Sequence, residues 1–162
     1  MSKNVAMIPV RMGSKRVKNK NLRLIDGKPL ISYVLETTIK SNVFDEIYIN
    51  SEADIFEDIA KQYDVKFYKR PAYLAEDDKT NDDFAYEFLQ NIECDNLIQL
   101  LTTSPFMSVD DVCSFVKNFE DNRYETLISV NNVQIESIYD GIPINFNQKE
   151  ITPPSQDLKP IQ

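Results

Sequence analysis

The 162-residue sequence contains no histidine, only three glycines and only two cysteines. Without histidine, Ser-His-Asp and Cys-His nucleophilic systems are excluded, and so are His-ligated metal sites. Cys94 and Cys113 stand 19 positions apart with no second cysteine pair, so they predict buried thiols in or beside helices. No stretch approaches the roughly 20 apolar residues that a bilayer-spanning helix needs. The apolar run near Val5 is too short for a signal-peptide core and lacks a small-residue cleavage site, so the expected location is the cytoplasm, with no membrane partner. What remains for catalysis is Lys, Arg, carboxylates, hydroxyls, backbone N–H groups and hard metal ions. Phosphoryl or nucleotidyl transfer suits that inventory, because it depends mostly on positioning and charge stabilisation.

Charge of one sign is also unevenly placed. The chain carries a net charge of −8, which argues against general nucleic-acid binding. Residues 11 to 28 nevertheless hold seven of the eighteen basic residues and a single acid, Asp26. A local positive patch on an acidic body suits a small polyanion better than a long one.

Short apolar runs alternate with amphipathic stretches. Val5–Val10 predicts a buried strand, and Pro29 stands at a first helical turn followed by Leu30, Tyr33, Val34 and Ile39 at helical spacing. Glu46–Asn50 reads as a second strand. Ser51–Asp54 has the spacing of a capping box and predicts a helix to about Tyr63 with Ile55, Phe56, Ile59 and Ala60 as its apolar face. Val65–Tyr68 predicts a third strand. Thr80–Asp83 and Ser108–Asp111 predict two further capped helices, the second running to about Phe119, and Asn96–Leu101 predicts a strand between them. Leu127–Val130 predicts a last strand. The segment from Ile138 to Gln162 is rich in proline and reads as an edge excursion or an incomplete piece of structure.

This alternation predicts an α/β domain with a mostly parallel sheet covered on both faces, whose ligands sit beyond the carboxyl ends of the strands. The basic loop, Arg70-Pro71 and the Thr102–Pro105 loop all follow strands and can converge there. Within the basic loop, Gly13 and Ser14 allow close backbone approach to phosphate, Arg11 can grip it through two parallel hydrogen bonds, and Lys15 and Lys20 bring ammonium groups. Neither the Gly-x-x-x-x-Gly-Lys-Ser/Thr phosphate loop nor the three-glycine dinucleotide fingerprint is present. On composition alone, a solvated loop that binds nothing stays open beside the polyanion site.

Ile8-Pro-Val-Arg-Met-Gly-Ser-Lys-Arg-Val-Lys-Asn-Lys-Asn-Leu22 and Gly27-Lys-Pro-Leu-Ile31 resemble the signature of the acylneuraminate cytidylyltransferases. The resemblance continues through Phe44-Asp-Glu-Ile47, Arg70-Pro-Ala-Tyr-Leu-Ala75 and Thr103-Ser-Pro-Phe106. It implies a Rossmann-like, three-layer nucleotidyltransferase fold, a magnesium ion, and a homodimer. The reaction it implies joins CMP from CTP to the anomeric hydroxyl of a nine-carbon, sialic-acid-like 2-keto sugar acid and releases pyrophosphate. By the same resemblance Arg11, Gly13, Ser14, Lys15, Lys20 and Asn21 hold the triphosphate. Lys20, with Arg11, offsets charge at the reacting phosphate, and Arg70 lies beside the nucleotide. Asn81 is either a polar contact to the cytosine edge or simply a first-turn helix residue. Thr103 and Ser104 fall on the sugar side.

Two departures qualify the implication. Leu101 stands where the family usually has glutamine, and Gln99, two positions earlier, is the nearest polar substitute. The family also continues for several elements past the point matching Gln162, so residues 1–162 read as one nucleotidyltransferase domain lacking the C-terminal part of the fold and its metal-binding aspartates. The acidic stretch Glu76–Asp83 lacks the spacing of a calcium loop, and Asp82 and Asp83 suit a helix N-terminus. The metal ligands are thus not assigned. Two alternatives stay open: a nucleotidyltransferase for another base or a shorter sugar, and a nucleotide-binding relative without catalysis.

Overall fold

The computed structural model describes residues 2–151 and 153–161. The chain divides into two compact units, residues 1–118 and 119–162.

The first unit is built on a four-stranded sheet in which every pairing is parallel. Strands β1 (Asn4–Pro9), β4 (Glu46–Ser51), β5 (Lys66–Lys69) and β6 (Asn96–Gln99) lie in the order β5-β4-β1-β6. Two short strands, β2 (Leu24–Ile25) and β3 (Lys28–Pro29), form a separate hairpin. Helices α1 (Leu30–Ser41), α2 (Ile55–Gln62), α3 (Asn81–Leu89) and α4 (Val109–Asn122) complete the set. β1 is central because it is apolar on both sides. Ala6 and Ile8 face one core with Ile31, Val34 and Leu35 of α1, Phe56 and Ala60 of α2, and Val112 and Val116 of α4. Val5 and Met7 face a second core with Phe84, Ala85 and Phe88 of α3. Phe88 is fully buried and meets Tyr48 and Tyr68 edge-on at 5.2 and 4.9 Å between ring centres. Two cores on the two faces of one parallel sheet give the three-layer, Rossmann-like arrangement that the alternation predicts.

Local chemistry sets most boundaries. At α3 the Thr80 hydroxyl accepts from the Asp83 N–H while the Asp83 carboxylate accepts from the Thr80 N–H, a complete capping box. Ser108 and Asp111 make the same exchange at α4. Glycine is scarce, and the left-handed positions fall mostly to Asn and Asp: Asn19, Asp26, Asn42, Asp64 and Asp140 all have positive φ. Asp26-Gly27 forms the turn of the β2-β3 hairpin with φ of 48° and 77°.

Two expectations are corrected. The Ser51–Asp54 box does not form, because Ser51 is the last residue of β4 and its hydroxyl accepts from the Ala53 N–H in a local turn. α2 starts at Ile55, with no side-chain cap from Asp54. Leu127–Val130 is not a strand: no ladder bonds form there, and Ile128 is 74% exposed. An apolar run becomes a strand only where a neighbour takes up its backbone groups. Within the second unit the order lies instead in a hairpin of β7 (Ile138–Tyr139) and β8 (Ile142–Pro143) turning on Asp140-Gly141. An antiparallel bridge between Val133 and Ile161 adds to it. No helix of the described residues is long and apolar enough to cross a membrane.

Candidate active site

The chain leaves β1 into the basic loop, β5 into the Arg70 connection, and β6 into the Thr102 loop. All three exits lie at carboxyl ends of parallel strands, and together they line a cavity of about 820 Å3, within the range of small-ligand pockets. β1 lies between β4 and β6, so the chain places elements on both sides of it, the arrangement that opens a crevice in such sheets.

The basic loop is tied at both ends. Val10 extends β1 by donating to the Asn50 carbonyl. Its own carbonyl accepts from Arg70 Nη2 at 2.9 Å. The Met12 N–H donates to Glu52 Oε1 at 2.9 Å, and the other oxygen of Glu52 takes Arg70 Nη2 at 3.0 Å. At the far end Asn19 turns left-handed and Lys20–Leu22 make one turn of 3-10 helix. Asn21 is buried there. Its amide nitrogen donates to the Arg11 carbonyl at 3.1 Å and its oxygen accepts from the Thr102 hydroxyl at 2.7 Å. The loop thus has a fixed rim around the cations it carries.

Arg70 is 3% exposed, with its guanidinium over the Phe84 ring at 4.9 Å. Burial pulls its pKa down and the Glu52 carboxylate opposes that pull. An arginine stays protonated under such a shift. Its Nε–H is buried without a partner among the described residues. Arg11 donates to the Ala75 carbonyl at 2.9 Å and pairs with Asp77 Oδ1 at 3.3 Å, while Lys15 pairs with Asp77 Oδ2. The Lys15 ammonium first, and Arg11 in addition, hold the Asp77 carboxyl below the ordinary carboxylate value. Lys20 is half-buried on the cavity wall and has no carboxylate partner among the described residues. Arg16 and Lys79 also line the cavity, against only two acids, Glu76 and Asp77.

Of the residues expected at the site, Arg11, Ser14, Lys15, Lys20, Asn21, Arg70, Asn81 and Thr103 line this cavity; Gly13 and Ser104 do not. Gly13 shows no local need for glycine, since a Cβ there would meet nothing within 4 Å. Ser104 turns back so that its N–H donates to the Leu101 carbonyl. Asn21, which lines the cavity, has both ends of its amide engaged within the protein and serves as the tie of the loop. Asn81 is the exposed first residue of α3. Leu101 lines the cavity, 39% exposed. The Oε1 of Gln99 is buried without a partner among the described residues, and its side chain is not part of the wall. Glu52 was not singled out from the sequence, Asp77 entered only within the acidic stretch Glu76–Asp83, and Thr102 only as the start of the loop after β6. No spacing marks their roles, because their partners lie 40, 66 and 81 residues away.

Among the described residues no group of three or more His, Cys, Asp or Glu is placed to hold a metal ion. Glu76 and Asp77 are the cavity's carboxylates. Asp77 is already paired with Arg11 and Lys15, so the cavity offers no protein cage for a hard cation, and Glu76 is the carboxylate left to approach one carried in by phosphate and water.

A model of a cytidylyltransferase family matches residues 5–145. The N-acylneuraminate cytidylyltransferase of Escherichia coli O18:K1:H7 is 30% identical over 80% of this chain and 31% of its own length. The pseudaminic acid cytidylyltransferase of Campylobacter jejuni is 30% identical over 96% of this chain and 72% of its own length. The chain therefore spans about a third of the first of these relatives and under three quarters of the second. Among solved structures, a CMP:2-keto-3-deoxy-manno-octonic acid synthetase complexed with CTP superposes with a TM-score of 0.67. It is 26% identical and covers 75% of this chain and 49% of that one. A 4-diphosphocytidyl-2C-methyl-D-erythritol synthase shares the fold at a TM-score of 0.65 and 11% identity.

Proposed function

Because the chain belongs to the cytidylyltransferase family, we propose that the cavity binds CTP and that the protein activates a sialic-acid-like sugar acid as its CMP derivative. The observation that carries this reading is the convergence of Arg11, Lys15 and Lys20 on one cavity at the carboxyl ends of β1, β5 and β6. Those loops also hold the residues that resemble the family's signature.

In the proposed reaction the anomeric hydroxyl oxygen of the sugar acid forms a bond to the α-phosphorus of CTP, in line with the departing group. The bond from that phosphorus to the bridging oxygen breaks, pyrophosphate leaves with the electron pair, and the hydroxyl proton passes to solvent or base. The protein's part is positioning and charge. Arg11, held by the Ala75 carbonyl, aims its remaining donors into the cavity, and Lys20 brings an uncommitted ammonium group to the reacting phosphate. Lys15 and Ser14 take outer phosphate oxygens, and Asn81 offers an amide to the base. Thr103 faces the sugar side, where Leu101 supplies an apolar wall. Glu76 is the cavity carboxylate that would stand beside a Mg2+ ion arriving with the nucleotide, and such an ion would supply further charge neutralisation. The resemblance supports a homodimer in the cytoplasm, and the net charge of −8 supports a free sugar acid over nucleic acid as partner.

Thermal unfolding with CTP, UTP, GTP and ATP, followed by pyrophosphate release on adding neuraminic, pseudaminic and eight-carbon sugar acids, tests the reading. Stabilisation by CTP above the other three, with product from a nine-carbon acid, is expected. Equal shifts from all four nucleotides would remove the cytosine assignment. CTP binding without product from any acid would point to a nucleotide-binding relative.

A further inference from the structure

Asp77 sits in the connection between β5 and α3, three residues before the Thr80 cap, with its side chain 52% exposed. Both of its carboxylate oxygens face cations of the basic loop, Oδ1 meeting Arg11 Nη1 at 3.3 Å and Oδ2 meeting Lys15 Nζ. Arg11 is anchored separately, by the Ala75 carbonyl at 2.9 Å, so its position does not depend on Asp77. Leu74, buried two residues before that carbonyl's successor, fixes the start of the connection and leaves Asp77 on its exposed side. A carboxylate presents to guanidinium and ammonium the same kind of anionic oxygens that a phosphate does. The Asp77 oxygens therefore stand where two oxygens of an anionic ligand would be received.

We propose that Asp77 is an internal counter-ion that closes the phosphate grip of Arg11 and Lys15 until a polyphosphate displaces it. The inference rests on the triphosphate assignment above. Half-exposed ion pairs of this kind are weak and exchange readily. A polyphosphate brings several charges and reaches Arg11, Lys15 and Lys20 together, so it displaces the carboxylate at small cost. A singly charged anion replaces one carboxylate with a partner no better, and gains little. The counter-ion thereby tunes the pocket toward ligands with two or more linked phosphates. It also competes with pyrophosphate for the same two cations once that product has formed.

Isothermal titration of the full chain in EDTA, with tripolyphosphate, CTP and cytidine as separate probes, tests this. Asp77→Asn is expected to tighten tripolyphosphate and CTP roughly threefold to tenfold and to leave cytidine unchanged. Asp82→Asn removes the same formal charge near the pocket but leaves the grip closed, and is expected to change these affinities by less than about twofold. Unchanged or weaker polyphosphate binding in Asp77→Asn, or an equal gain in Asp82→Asn, would overturn the proposal. If the wild type binds CTP but shows those results, the inference alone fails. If the wild type binds neither CTP nor tripolyphosphate, the triphosphate assignment fails and takes the inference with it.

Discussion

Lys20 and Lys15 are both lysines of one loop on one cavity, yet their surroundings divide their work. Lys15 is paired with Asp77, so any phosphate it takes must first be exchanged for a carboxylate. Lys20 follows the left-handed Asn19, begins the turn that Asn21 anchors, and is half-buried without a carboxylate partner among the described residues. An ammonium on an anchored turn and already stripped of part of its water needs less rearrangement when charge develops beside it. Lys20→Ala is therefore expected to lower CTP affinity roughly tenfold or more, on the scale of one charge-assisted hydrogen bond. Pyrophosphate release is expected to fall by orders of magnitude. Lys20→Arg retains charge but not the compact shape, and is expected to recover binding better than turnover. Near-normal turnover in Lys20→Ala would remove its assigned part.

Elements meet at Glu52, which stands in the turn between β4 and α2. One oxygen holds the Met12 N–H of the basic loop and the other holds buried Arg70 at the end of β5. Removing it leaves a buried guanidinium unpaired and releases the start of the loop. Glu52→Ala is expected to destabilise the fold by about 3 kcal/mol in urea unfolding. CTP binding is expected to weaken even at temperatures where the variant is folded, whereas Glu52→Gln, which keeps one acceptor, falls between. A stability loss without any change in CTP affinity would mean that the loop holds its shape without Glu52. The same residue shows what sequence reading can reach at this scale. Helices α3 and α4 were legible because Thr80–Asp83 and Ser108–Asp111 close their boxes over three residues. The identical spacing at Ser51–Asp54 misleads, because β4 runs through Ser51 and the sheet decides where the strand ends. The cavity's cations were legible as a cluster in the loop. Their fixings were not, because Asn21–Thr102 and Arg11–Asp77 are pairings that only the strand order brings about. The Asp-Gly turns of both hairpins did carry a local signal, in the two left-handed residues that such turns require.

For the molecule as a whole, the absence of histidine has a direct consequence for stability. No side chain with an ordinary pKa changes charge between about pH 5 and 8 apart from histidine. Several carboxyls lie below their ordinary values: Glu36 through Lys28, Glu46 through Lys66, and Asp83 and Asp111 through their capping partners. A lowered folded-state pKa means that the unfolded chain binds protons first as acid is added. The stabilisation is thus complete above the ordinary carboxyl values and is lost as pH falls through the lowered ones. Urea midpoints are expected to be level from pH 6 to 8 and to decline only below about pH 4.5. A decline already at pH 6 would contradict this.

The register of β1 carries a further consequence, for the order in which the chain becomes a protein. Asn4 pairs with Asn96, and Val5 pairs with Glu46, so the most apolar strand is made long before either neighbour exists. At cellular rates of synthesis, the roughly ninety residues from Asn4 to Asn96 take on the order of 5–20 s to appear. Until β4 emerges Val5-Ala-Met-Ile8 has no partner strand, and its second edge stays open until β6 follows, a ready target for holding factors or for misassociation. The cavity closes only when β6 docks on β1 and brings Thr102 to Asn21. Nucleotide binding is thus a late event in maturation, and a nucleotide present during synthesis draws the last docking step toward completion by mass action.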